Sequence, residues 1–565
     1  MTFTRSVAAL REILSWMRLV TMGRLNLTIA LILGSACLDN LSGAAPDQGQ
    51  QRDLAWPTIT RQCKPWAYNW WLGSAVDRRD LAREFDRYQE GGLGGIHIIP
   101  IYGAQGAERR WVPYLSPQWM ANLDMAVTEA AARDLGVDMT TGTGWCFGGP
   151  GVTVDQAGIG VTAMHIDFPA DGRLPKQFAQ RKTDWKFLEA VSPEGRRTDL
   201  SGRIDGAGKL HWKPDATAKG WKLVGVGLWP TGIKVKRAAP GGEGFMINPF
   251  YGKSMADYLE SFSRAFDAYR GAKPRAMYHD SYEYAMAAWS PDLPEEFAKR
   301  RGYRLEDHWE QMAGFGDPDL VARVWYDYRE TISELMVEKV FPQWVAWCRQ
   351  RGFLTRYQAH GSPGNLLDLY ALADVPETEM FGHGGPDPLV SRFDESMGKA
   401  DRDTLVSKFA SSAAHVAGRR LVASETGTWM AEHFHETLEE MKCLVDRLLV
   451  SGINHVFYHG CVYSPDDVPW PGWLFYASTQ MNPRNPLWRE AAALNGYIAR
   501  ARPATACVSI APRQAVGWYS TWARSGTRRG FASMVKSWVR CSCIPIAWNC
   551  RSIGSRPRAT GWNWR

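Results

Sequence analysis

From about residue 65 the chain alternates short apolar runs with longer stretches whose apolar residues recur every three or four positions. Eight of the short runs read as strands. They are WAYNWWLG (66–73), GIHIIPIY (95–102), GVDMTTG (136–142), RAMYHDS (275–281), FLTRYQAHG (353–361), ADVPETEM (373–380), RLVASETG (420–427) and NHVFYHG (454–460). Between them lie amphipathic stretches such as DRRDLAREFDRYQEGG, HETLEEMKCLVDRLLVSG and the long DPDLVARVWYDYRETISELMVEKVFPQWVAWCRQRG, which carries helical spacing throughout. Strands that alternate with helices form parallel sheets with helices outside, and eight such units are the count of a closed (β/α)8 barrel. The expected fold class is therefore α/β, a TIM-like barrel.

Three regions break this rhythm. Residues 150–245 are rich in Gly, Pro and Lys with short alternating pieces such as WKLVGVGLW, which predicts a β-rich subdomain inserted between the third and fourth strands. Residues 1–45 read as a secretory leader: Met22-Gly23-Arg24 precedes the apolar run LNLTIALILGSA, with small residues at LSGAAP. That run is too short to span a bilayer, so the expectation is a secreted or periplasmic protein without a membrane span. From about Ala501 periodicity disappears, and residues 501–565 form an atypical basic tail expected to be irregular. Arg, Trp and Cys rise together there, which favours a lost reading frame; a genuine basic arm is the other reading. The catalytic body is then 46–500.

Charge changes the picture only after this division. The chain holds 66 Lys/Arg and 59 Asp/Glu, but eleven Lys/Arg and no acid lie in 501–565. The first 500 residues are thus mildly acidic, which argues against a nucleic-acid partner. The cysteines outside leader and tail (63, 146, 348, 443 and 461) are scattered, without zinc or disulfide spacing. AEHFHETLEE lacks the order of a zinc protease, and GTGWCFGGPG (142–151) lacks the Lys-Ser/Thr of a phosphate loop. The latter follows the third strand and would bring Trp145 to a substrate.

In a barrel of this kind the C-terminal strand ends build the active site. The fourth strand ends in Asp280-Ser281-Tyr282-Glu283, the fifth reaches His360, the sixth carries Glu377 and Glu379, the seventh Glu425 and Trp429, and the eighth His459. Carboxylates converging in one cleft cannot all ionise cheaply, so burial and repulsion divide them into proton donors and bases. That division suits glycoside hydrolysis, in which one carboxylic acid protonates the leaving oxygen and a second activates water or attacks the sugar. Trp and Tyr nearby offer apolar platforms for sugar rings. Each acid also has a plainer reading: Glu283 as a helix cap, Glu425 as an ion-pair partner, Glu377 and Glu379 as loop supports.

The blocks DSYEY, RRGY, HGSPGNLLDLYALADVPETE, ASETGTW and INHVFYHGCVYSPDDVPWPGWLFYAST resemble glycoside hydrolase family 106, the α-L-rhamnosidases, over about 64–500. The resemblance implies a (β/α)8 catalytic domain that removes terminal α-L-rhamnose with inversion, a rhamnose-containing oligo- or polysaccharide or glycoside as partner, and a calcium ion. It implies Glu283 as general acid and Glu425 as general base. Glu377 and Glu379 become further active-site acids that bind sugar or metal, and Asp280, Trp145, His360, Trp429, His459 and Tyr463 substrate contacts. Family members usually continue into C-terminal β-sandwich domains, whereas the likeness here stops at LNGYIARA. A barrel glycosidase for another sugar, or a truncated product without activity, are the alternatives.

Overall fold

The computed structural model describes residues 58–179, 183–214, 220–381, 402–430 and 433–506. The expected leader, and the tail from residue 507, lie outside the described residues.

All eight expected strands form, in the expected order: β1 (Trp66–Leu72), β2 (Gly95–Ile101), β3 (Gly136–Thr140), β4 (Ala276–His279), β5 (Leu354–Tyr357), β6 (Val375–Phe381), β7 (Ala423–Thr428) and β8 (His455–Val462). They close into one barrel in which each strand pairs in parallel with its sequence neighbour and β8 pairs with β1. The fold is the (β/α)8 barrel that the periodicity predicts.

The helices form for local reasons. Asp77 caps Arg78–Glu90 by accepting from the Asp80 amide, and Leu81, Phe85 and Tyr88 put one apolar stripe against the barrel. Thr437 and Glu440 form a capping box that starts Leu438–Val450. The longest expected helix differs from a simple one. Pro318–Glu334 runs into a π-helical segment, Leu335–Val340, before Phe341–Gln350 resumes. Pro342 has no N–H for a continuous ladder, so the wider turn falls immediately before it. The last helix, Trp488–Ala506, extends past the start of the expected irregular tail.

Within residues 150–245 a four-stranded antiparallel sheet forms, in the order Ile159–Asp167, Lys222–Pro230, Asp184–Val191, Arg197–Asp199. It buries its own apolar cluster, including Met164, Leu188 and Leu223. Its return to the barrel matters for the site. Trp145 N donates to Lys236 O at 3.1 Å and Lys236 N to Trp145 O at 2.8 Å, while Gly148–Gly149 pairs with Phe245–Met246.

Branched aliphatic side chains usually fill a barrel of this type. Here the interior is aromatic and charged. Tyr68 of β1, His97 of β2, Asp138 of β3, Tyr278 of β4, Arg356 of β5 and Glu377 of β6 are all fully buried. Their side chains point inward at the level below the strand ends, because successive residues of a strand alternate faces.

Candidate active site

Two residues further along the same strands, the same alternation points side chains inward at the barrel mouth. Trp70 follows Tyr68, Asp280 follows Tyr278 and Glu379 follows Glu377. They line a cavity of about 500 Å³ together with Glu283, Glu425 and His459. Glu379 and Glu425 stand opposite each other in the β6–β7 register.

Glu425 is 4% exposed and firmly held. Thr428 Oγ1 donates to its Oε1 at 2.6 Å, and Gln358 Nε2 to its Oε2 at 2.9 Å. Tyr68 Oη lies 3.2 Å from the same Oε2. His459 Nδ1 lies 2.8 Å from the carbonyl of Ala477, so that nitrogen carries the proton and Nε2 faces Glu425 Oε1 at 3.4 Å. Burial lowers the His459 pKa, with Glu425 opposing the shift.

Glu283 is held differently. Trp145 Nε1 donates to its Oε2 at 2.9 Å, and Lys236 Nζ contacts the same oxygen. Both donors come from the segments that leave and re-enter the barrel around the inserted sheet. The Glu283 amide in turn donates to Cys146 Sγ at 3.2 Å.

Asp280 and Glu379 complete the acidic wall. Burial, followed by repulsion from Glu425 and other cavity carboxylates, raises the pKa of both well above the ordinary carboxyl range. His360 stands behind Glu379, with Nε2 at 3.1 Å from its Oε2 and Nδ1 at 3.2 Å from Tyr370 Oη. Burial lowers the His360 pKa to about 4. Trp429 sits at the rim with a left-handed φ of 52°, an uncommon conformation for a bulky residue.

Three residues expected to touch substrate do not line this cavity. Tyr463 is fully buried, and its hydroxyl bonds to both the backbone and the carboxylate of Asp77, tying the end of β8 to the first helix. His360 acts on Glu379 rather than facing the cavity. Glu377, two positions before Glu379, lies one layer down. It accepts from Tyr68 Oη at 2.7 Å and Gln358 Nε2 at 3.1 Å, and pairs with Arg356 Nε at 3.2 Å. It therefore cannot join Glu379 as a metal ligand. Among the described residues no three of His, Cys, Asp and Glu converge as a metal cluster.

Several site residues carried no signal along the chain. Lys236 and Arg237 lie in the Gly- and Lys-rich insert, where nothing in local spacing separates them from surface lysines and arginines. Phe475 and Tyr476 line the cavity from WLFYAST, a block whose likeness to family 106 was the one available clue. Tyr68 faces inward from β1 and Gln358 directly follows β5; strand alternation gives the face of each but not its layer.

The profile of the α-L-rhamnosidase family, glycoside hydrolase family 106, matches residues 176–503, more than half of the chain. The chain belongs to this family. A relative of the family 106 chain, a putative β-glucuronidase of Formosa agariphila, is 25% identical over 484 residues, which are 76% of this chain and 40% of the relative. A solved rhamnosidase structure from Novosphingobium sp. PP1Y superposes with a TM-score of 0.59 at 16% identity, over 80% of this chain and 61% of that one. That likeness is one of fold. The family 106 chain thus spans less than two thirds of either protein.

Proposed function

We propose that this chain is an inverting α-L-rhamnosidase that releases terminal α-L-rhamnose from an oligo- or polysaccharide or a glycoside. One observation carries the reading: Glu283 and Glu425, far apart in sequence and delivered by the ends of β4 and β7, line one sugar-sized cavity. Membership of family 106 supplies the sugar.

Glu283 is the general acid. Trp145 and Lys236 donate to its Oε2, which leaves Oε1 to carry the proton that passes to the glycosidic oxygen. Glu425 is the general base. Thr428 and Gln358 hold its two oxygens while it takes a proton from the attacking water. His459, which accepts a proton at Nε2 when neutral, is positioned to receive one from Glu425. Trp70, Trp145 and Trp429 would flank the ring.

The acidic wall offers a calcium ion two carboxyl groups, and further ligands would have to come from water or substrate. Calcium takes oxygen ligands, and a divalent cation would offset the burial and the carboxylate repulsion that together raise the pKa of Asp280 and Glu379. Those two residues would hold it, and it would orient the hydroxyls of the sugar. The chain is further proposed to act outside the cytoplasm, on the strength of its leader-like first 45 residues.

A panel of aryl glycosides tests the reading. The α-L-rhamnoside should be cleaved, with β-L-rhamnose as the first anomer seen by NMR. Glu425→Gln should lower kcat at least about a hundredfold. Glu283→Gln should do so most clearly with a sugar leaving group, which needs protonation more than a nitrophenolate does. Cleavage of another glycoside in preference, such as the glucuronide suggested by the name of the Formosa agariphila relative, would move the assignment to another sugar. Chelation should lower both rate and melting temperature, and added Ca²⁺ should restore them.

A further inference from the structure

Glu283 lies within residues 281–284, which belong to neither helix nor strand, so neighbouring segments must set its place. Three consecutive residues of the loop after β3 hold this stretch. Trp145 Nε1 donates to the Glu283 carboxylate at 2.9 Å. Cys146 Sγ accepts from the Glu283 amide at 3.2 Å and donates to Ser281 O at 3.2 Å. Phe147 N donates to Tyr284 Oη at 3.3 Å. One dipeptide thus grips Glu283 at both ends, by its carboxylate through Trp145 and by its backbone through Cys146.

The same stretch is tied to the barrel. Tyr284 Oη lies 2.8 Å from His279 Nε2, and His279 Nδ1 lies 2.5 Å from Asp280 O. A carbonyl only accepts, so Nδ1 carries the proton, Nε2 is the acceptor and Tyr284 donates to it. His279 is the last residue of β4. Cys146 is buried and does not line the cavity. Burial raises its pKa well above the ordinary thiol range, with Glu283 and Asp280 adding to the shift, so the thiol keeps the proton that it donates to Ser281. Alanine at 146 would take this partner from both the Glu283 amide and the Ser281 carbonyl, whereas serine keeps a donor and an acceptor on one atom.

We propose that Cys146 is a positioning residue for the general acid: its thiol fixes the backbone of Glu283 so that the carboxyl meets the leaving oxygen, while Tyr284 and His279 anchor the same stretch to β4. This rests on the reading of Glu283 as the acid. The chemistry gives the role a signature. A sugar leaves as an alkoxide unless it is protonated, whereas a dinitrophenolate leaves without help. A displaced acid therefore slows cleavage of a disaccharide far more than that of a dinitrophenyl rhamnoside, and general damage to the fold slows both alike.

The test uses the full chain, a disaccharide with terminal α-L-rhamnose and a dinitrophenyl α-L-rhamnoside. Cys146→Ala should lower the ratio of kcat/KM for the disaccharide over the dinitrophenyl rhamnoside at least about tenfold, the scale of a lost hydrogen bond. Cys146→Ser should recover most of that ratio. A ratio unchanged by Cys146→Ala would overturn the proposal. Glu283→Gln is the control for the acid: it should lower the same ratio further, and no change there fails the proposed role of Glu283 instead. Should Cys146→Ala not fold, Tyr284→Phe carries the contrast, because it removes the hydroxyl between Phe147 N and His279 Nε2; a ratio that survives it counts against the proposal. Crystal structures of the wild type and Cys146→Ala read the positioning without turnover. The Glu283 carboxylate should move off Trp145 Nε1 in the variant, and a carboxylate that stays in place overturns the role of Cys146 whether or not the chain cleaves a rhamnoside.

Discussion

Glu377 and Glu379 differ by two positions on one strand, and that difference sets their chemistry. Glu379 reaches the cavity, whereas Glu377 is sealed beneath it against Arg356 and Tyr68. Burying Arg356 and Glu377 costs several kcal/mol of desolvation per ion, and such a pair is weak as a source of stability. Its value lies in what it holds. Tyr68 has one hydroxyl proton and three neighbours for it: Glu377 Oε1 at 2.7 Å, Tyr278 Oη at 2.7 Å and Glu425 Oε2 at 3.2 Å. Gln358 Nε2 bridges the same two carboxylates. Tyr68 and Glu377 are therefore positioning residues for Glu425. Tyr68→Phe should lower kcat about tenfold or more, the scale of one hydrogen bond, with KM little changed. Glu377→Gln should alter the pH dependence of kcat, because burial pushes the Glu377 carboxyl up to about 7, within the working range. A purely structural role would lower the melting temperature of both variants and leave kcat and its pH profile as in the wild type.

At the scale of elements, the strands were legible because each is a short apolar run bounded by turns and helix starts, and local spacing determines that much. The layer a residue occupies was not legible, since it depends on the shear with which the barrel closes. The family resemblance implied contact with sugar or metal for Glu377 and with substrate for Tyr463, and nothing in the spacing along the chain placed either in another layer. The inserted sheet was legible as β-rich from its alternation, but not the contact by which its return segment delivers Lys236 to Glu283. That contact passes through Gly144, whose φ is 49° and whose missing side chain lets Lys236 O approach. Gly144→Ala should displace the return segment and separate Lys236 from Glu283. Activity on a sugar leaving group should drop by at least about tenfold, and stability should fall by roughly 1–3 kcal/mol, the cost of local backbone strain. A variant with native melting temperature and rate would show that the segment reaches the site by another constraint.

For the whole molecule, a closed barrel with buried ionisable groups has a stability that depends on pH in a determined direction. Glu84 sits under the loop after β8, accepting from Tyr88 Oη at 3.0 Å and Ser464 N at 3.1 Å, and burial still raises its carboxyl to about 7. Burial raises Glu436 to about 8. Both have an ordinary value of 4.5, so the folded state holds their protons more tightly than the unfolded state does. The stability they contribute is complete below 4.5 and is lost as pH rises through 7 to 8. Buried histidines act in the opposite sense. Burial lowers His279 to about 3 and His360 to about 4, so their contribution is complete above 6.5 and is lost as pH falls toward 3. Between 4.5 and 6.5 the two sets oppose each other, and above 6.5 only the carboxyls still change. The melting temperature should therefore fall between about pH 6.5 and 8.5, and Glu84→Gln should remove about 1 kcal/mol of that fall, the part of its titration left above 6.5. Thermal melts of both proteins across that range decide the matter, and a melting temperature that holds or rises through it would show that these carboxyls are already ionised in the folded chain at pH 6.5.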